Sequence, residues 1–167
     1  MKRILLSTLW MCATLPLFAE MDITVIGKKH ENRSEDFEDR PYGNDDMSYG
    51  AYFDYFEGMG GWRFGATYAT DLSGPGEADT VITPEISLLG RDGIWEGGLS
   101  VMMDYIDSEE GSDWGDVYYQ TQLGINLPVT SNLLIGIHAF FPFKDLGDFS
   151  DIDTGNVDYG VTVTARF

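Results

Sequence analysis

Two histidines, a few serines and a large excess of carboxylates are the residues of this chain with chemistry to offer. Hydrolysis by a Ser–His–acid relay needs a nucleophile within hydrogen-bond reach of its base. Ser100, Asp104 and His138 fall on the polar parity of their segments. Nothing in their spacing brings Ser100 and His138 to one height, so His138 reads as an interior histidine paired with a neighbouring carboxylate. The other histidine, His30, stands in a polar stretch beside Lys28, Lys29 and Glu31. A wider set shares the polar parity: Asp54, Arg63, Glu85, Glu96, Asp104, His138 and Arg166. It could line a cation-selective passage or pair off as a buried ionic network. Its carboxylates outnumber its arginines four to two, which predicts that some are neutral, hydrated or cation-paired. Near the C-terminus, Asp148, Asp151, Asp153 and Asp158 flank an Asp-x-Asp-x-Gly core. Alternate oxygen ligands with a glycine turn are the chemistry of calcium loops, although the EF-hand's full spacing and terminal Glu are missing. Ca²⁺ is the one cofactor that the sequence suggests.

These residues are carried by 167 residues with 10 Lys+Arg against 28 Asp+Glu. Lys2 and Arg3 precede an apolar run over 4–18, and Ala19 is a small residue before Glu20. That is the pattern of a secretory signal peptide over 1–19, leaving 20–167 as one domain. Cys12 lies in the leader behind Trp10 and Met11, which are too bulky for a lipoprotein signal. Cleavage removes Lys2, Arg3 and the only Cys, taking the formal charge from −18 to −20. The mature chain must then hold together without disulfides. Its charge argues against nucleic acid as a partner, because phosphate binding needs clustered Lys and Arg. No apolar run in 20–167 reaches the ~20 residues of a spanning helix.

The mature chain consists of eight β-patterned runs: 21–27, 47–56, 61–70, 80–89, 94–106, 116–127, 133–143 and 159–167. Strand side chains alternate between faces, and each run sets apolar residues against polar ones. No Asp, Glu, Lys or Arg falls on an apolar face of these runs, whereas 13 aromatics do. Pro84 lacks the N–H a ladder needs, which predicts a bulge there. Short turns at 57–60, 90–93 and 128–132, the first two bearing glycine, alternate with long polar connections over 28–46, 71–79, 107–115 and 144–156. The fold class that follows is all-β, an eight-stranded antiparallel up-and-down barrel. A lipocalin-like barrel or a secreted β-sandwich would show similar alternation, but would have to pack those aromatics inside.

The last run ends Tyr159, Val161, Val163, Ala165 and Phe167 at every second position. This resembles the C-terminal signal of bacterial outer-membrane β-barrels, through which the barrel-assembly machinery receives them. The domain as a whole resembles the small OmpA/OmpX-type transmembrane barrels, whose interior is filled by side chains. The resemblance implies location in the outer membrane, contact with its lipid and lipopolysaccharide, and a monomer. It implies that the apolar face meets lipid, that the long acidic connections lie outside, and that 159–167 close on 21–27. Two enzymatic activities occur on such barrels, removal and addition of lipid A acyl chains. The deacylase type resembles a serine hydrolase with His and Ser two residues apart, but here His138 is followed by Ala139 and Phe140. The expected function is therefore a non-enzymatic envelope-structure or surface-interaction protein. A narrow porin-like channel and a lipid-A-modifying enzyme are the alternatives.

Overall fold

The structure is a computed structural model that describes residues 19–31, 40–74, 78–109, 111–147 and 156–167. Its eight strands are β1 (Ala19–Lys29), β2 (Met47–Glu57), β3 (Gly60–Thr70), β4 (Ala78–Asp92), β5 (Trp95–Ser108), β6 (Gly111–Thr130), β7 (Leu133–Phe143) and β8 (Asp158–Arg166). Each pairs antiparallel with its chain neighbours, and β8 pairs with β1 from Asp22↔Arg166 to Lys29↔Tyr159. The sheet is thus a closed barrel, which removes the free edges over that span.

Alternation decides which residues face where. Outward residues such as Ile23, Phe53, Trp62, Phe64, Ile86, Leu123 and Ile137 are 45–58% exposed. Their inward neighbours are buried and largely polar, among them Thr24, Asp54, Arg63, Glu85, Glu96 and Gln120. The distribution is the inverse of a soluble barrel, where apolar side chains fill the centre. Among the described residues the buried apolar side chains cluster in two small groups, one of Tyr42, Ala69, Ala78 and Val81 and another of Ile26, Tyr52 and Phe140.

The strands connect at one end through two-residue turns, closed by the pairs Glu57↔Gly60, Asp92↔Trp95 and Thr130↔Leu133. Gly58 and Gly93 adopt φ of 65° and 60° there, where a side chain would be strained. At the other end the segment 107–115 departs from the expected long connection. β5 and β6 stay paired out to Ser108↔Gly111, so the acidic stretch is a projecting hairpin. Cross-strand contacts such as Tyr105 against Trp114, edge-on at 5.0 Å, hold a segment whose local composition reads as loop. At Pro84 the expected bulge is a gap instead. Thr83 and Pro84 pair with β3, but the β4–β5 register passes from Ile82↔Tyr105 to Glu85↔Met102 without a shift.

Candidate functional site

The inward side chains form three tiers along the barrel axis. Near the two-residue turns, Arg63 grips Asp54 through Nε (2.7 Å) and Nη2 (2.8 Å) and reaches Glu96 Oε1 at 3.3 Å. Arg91 takes the other Glu96 oxygen at 2.9 Å and Asp22 Oδ2 at 2.9 Å, and its guanidinium stacks 3.9 Å above the Phe56 ring. The charges alternate in one file: Asp22, Arg91, Glu96, Arg63, Asp54. Thr24 and Asn126 donate to Asp54 and Glu96, so the carboxylates are also satisfied from the side.

Half-way up, Glu85 accepts from Tyr52 (3.0 Å), Ser87 (2.7 Å) and Ser100 (2.8 Å). Lys28 donates to Gln120 at 3.1 Å and lies 4.4 Å over the Phe140 ring. Asp104 accepts from Thr83 and, at 3.0 Å, from Tyr118.

The third tier closes the end opposite the two-residue turns, and part of it is a strap formed by 40–46. Asp158 is fully buried and binds Arg40 Nη2 (2.9 Å), His30 Nδ1 (2.9 Å) and the Glu31 amide (3.1 Å). The other ring nitrogen of His30 lies 2.8 Å from Ser48 Oγ. Tyr42 stacks on the imidazole with centroids 3.8 Å apart and bonds Thr83 at 2.7 Å. Asp46 anchors the strap by accepting from the Gly43 amide and from both the amide and hydroxyl of Ser73. Burial outweighs Asp158 and pushes the His30 pKa down to about 4, so the ring is neutral at pH 7. For Arg40 burial opposes the charge, but Asp158 beside it more than offsets this and raises the pKa.

Asp158–His30–Ser48 has the spacing of a hydrolytic relay, with a neutral histidine able to take the serine proton. Its burial works against that use. Ser48 and Asp158 have no exposed surface, His30 retains 2%, and Tyr42 covers the imidazole face. In this arrangement the three residues fasten the strap and β8 to β1 and β2.

Ser100 and His138 are far apart. Ser100 pairs with Gln120, whereas His138 pairs with Gly124, which pairs with Glu96. The offset is four residues along β5, about 13 Å at ~3.3 Å per residue. His138 meets the amide of Asn126 at 3.2 Å rather than the expected carboxylate, and it lies over Gly124, where a Cβ would run into the imidazole. Asp54, Arg63, Glu85, Glu96, Asp104 and His138 are all buried, while Arg166 sits half-buried at the rim, 3.7 Å from Asp22. Asp158 stands in the barrel mouth with its oxygens engaged. Asp148, Asp151 and Asp153 lie outside the described residues. Tyr159, Val161 and Val163 face outward, Ala165 is half-buried, and the Phe167 amide donates to Met21 O at 2.9 Å.

The imbalance of four carboxylates to two arginines narrows, because Arg91, Arg40 and Lys28 add three cations while Asp22 and Asp158 add two carboxylates, making six to five. Lys28 keeps the inward parity of Asp22, Thr24 and Ile26, and only the early end assigned to the first run hid it. Arg91 likewise keeps the inward parity of Glu85, Ser87 and Leu89, two residues past the end of the fourth run, whereas Arg40 stands in a polar stretch, where sequence carries no signal for an inward side chain.

A closed ring of eight antiparallel strands with a charged interior and an apolar exterior can be compared with solved structures. The N-terminal β-barrel domain of Pseudomonas aeruginosa OprF matches with a TM-score of 0.59 at 11% identity, covering 89% of this chain and 97% of that one. The fold is that of the small outer-membrane β-barrels. Neisserial surface protein A, NspA, matches with a TM-score of 0.55, also at 11% identity, covering 89% of this chain and 95% of that one. No family model and no curated protein sequence matches. Among the described residues no cluster of three or more His, Cys, Asp or Glu is arranged to hold a metal ion.

Proposed function

We propose that this protein is an integral outer-membrane barrel, delivered by a leader over 1–19, that acts non-enzymatically as an envelope-structure or surface-interaction protein. The observation that carries this is the inversion of polarity across the barrel wall. Outward side chains of the central strand segments are apolar, and a charge facing lipid there would cost ~2–4 kcal/mol. The charged groups are inside, held by ion pairs or by hydrogen bonds to neutral side chains, where an eight-stranded barrel has room for little else. The two-residue turns then face the periplasm, and the acidic connections face outward among lipopolysaccharide. The barrel works as a monomer, and Phe167 with the outward residues of β8 presents it to the assembly machinery.

Heated and unheated samples in a detergent gel should migrate differently, and the protein should fractionate with the outer membrane. Equal migration, or recovery in the soluble periplasm, would refute the reading. A narrow channel is the alternative that planar bilayers address. The ionic file from Asp22 to Asp54 and the strap across the mouth predict no steady current.

A second reading is favoured by one specific observation, the Asp158–His30–Ser48 spacing. If the strap lifts, Ser48 becomes an activated nucleophile for an ester, such as an acyl ester of lipid A. A fluorophosphonate probe distinguishes the two readings: labelling of Ser48 in the folded barrel, abolished by Ser48→Ala, would establish the hydrolase and end the non-enzymatic one.

A further inference from the structure

The barrel is closed, yet one strand extends beyond its neighbour. β5 and β6 pair out to Ser108↔Gly111, and β4 follows β5 as far as Ala78↔Ser108. β7 stops at Phe143, opposite Tyr119. Residues 111–117 are therefore paired with β5 on one side and, among the described residues, with nothing on the other. The unpaired stretch is about 23 Å long at ~3.3 Å per residue. The Trp114 amide donates to the side chain of its own neighbour Asp113 at 2.8 Å, the local bond of an edge donor without a strand partner.

Exposed edges are ordinarily blunted by proline, charged side chains, a bulge or a covering segment; 111–117 contains no proline and no lysine, and its charges are the carboxylates Asp113 and Asp116, which repel an acidic strand but not a basic one. The register of this segment gives it two distinct faces. Trp114 opposes Tyr105 and Val117 opposes Met103, so both lie on the outward, apolar side, and the register shift between these pairs absorbs an extra residue in β6. Asp113 opposes Ile106, and Asp116 precedes Val117, which puts both carboxylates on the continuation of the inward side. Asp107 and Glu109 add charge at the tip, and no Lys or Arg occurs anywhere in 92–143.

We propose that the free edge of β6 at 111–117 is a docking site for an extended peptide segment of another protein, one that alternates basic and apolar side chains. The segment adds a strand through its backbone, sets Lys or Arg over Asp113 and Asp116, and lays its apolar side chains beside Trp114 and Val117. A second copy of this hairpin is a poor occupant, because its carboxylates would face these. The proposal rests on the reading of a surface-interaction protein and names the chemistry of its partner.

The test uses the full-length protein in detergent micelles with a fluorescent alternating Lys-Val peptide, its Glu-Val counterpart, and the Lys-Val peptide N-methylated at alternate residues. Anisotropy should report saturable binding of Lys-Val only, weakened about tenfold by N-methylation as backbone bonds are lost. Asp113→Asn with Asp116→Asn should weaken it several-fold and flatten its salt dependence. Ser112→Pro, two residues from Trp114 and so on the same hydrogen-bonding side, should abolish binding while heat-modifiable migration is kept. Equal binding of the N-methylated peptide would overturn the proposal in favour of diffuse charge attraction, and so would no binding at millimolar peptide. Loss of heat modifiability in the wild-type protein would instead remove the membrane-barrel reading beneath it.

Discussion

Replacing Arg63 by Met should be among the most damaging single changes available in this barrel. Arg63 is 2% exposed and makes three polar contacts, two to Asp54 and one to Glu96. Methionine preserves much of the volume but strands Asp54, whose remaining side-chain partner is the Thr24 hydroxyl. Glu96 is less affected, since Arg91 holds its other oxygen. Breaking a buried pair from one side costs about 3–5 kcal/mol. With a urea slope near 2 kcal/mol/M, the unfolding midpoint falls by about 2 M. The double variant Arg63→Met with Asp54→Asn removes both charges and keeps a group that can still accept from Thr24. It should recover most of the loss, because the single variant's penalty is an uncompensated charge rather than a lost attraction. Tryptophan fluorescence of the detergent-solubilised barrel in urea reads both variants. A single-variant cost below about 1 kcal/mol, or a double variant no better than the single, would refute an interior held together by buried ion pairs.

At the mouth, the depressed pKa of His30 links stability to pH. The unfolded ring takes up a proton near its ordinary value of 6.5 while the folded ring resists until about 4. Stability is fully present above pH 6.5 and declines as pH falls toward 4, by roughly 3 kcal/mol over that window. Urea midpoints of the wild type and His30→Gln as a function of pH should therefore diverge in slope, and parallel curves would count against the assignment. Tyr42→Phe removes the 2.7 Å bond to Thr83 and should cost about 1 kcal/mol, felt locally as faster proteolysis within 40–46 rather than as global unfolding. Gly124→Ala drives a Cβ into the His138 ring and the Ile137 carbonyl and should destabilise the barrel by about 1–3 kcal/mol; because the carbonyl contact persists, the two changes in Gly124→Ala/His138→Ala should be less than additive without restoring the wild type.

The fold was legible because alternation is a local property. Ile23, Val25, Phe53 and Phe64 declare their face through their immediate neighbours, and β7 falls on residues 133–143 as the pattern has it. Closure of β8 on β1 follows from an even number of strands whose apolar faces agree. Legibility fails where non-local contacts override local composition. Residues 107–115 are acidic and glycine-bearing, yet Tyr105 and Trp114 fix them as a hairpin. Pro84 marks a defect correctly, but its form, a gap without a shift, depends on how β5 runs past it.

The interior was readable as a list of residues but not as a set of partners. Parity places Asp54, Glu85 and Glu96 inside, but which cation meets which carboxylate depends on how strand tilt and stagger carry side chains across the lumen. That is how Arg91, beside the β4–β5 turn, meets Asp22 from β1, 69 residues away in sequence. It is also how Arg40, 118 residues from Asp158, becomes its counter-ion. A charge count confined to the middles of the strands therefore misses Lys28 and Arg91 near strand ends and Arg40 in a connection, and it overstates the acid excess even when Asp22 and Asp158 are set against them. The correction matters for function, because an acidic, under-compensated lumen would attract and pass cations. A file in which carboxylates and guanidiniums alternate holds its own counter-ions in place and supports the sealed barrel proposed here.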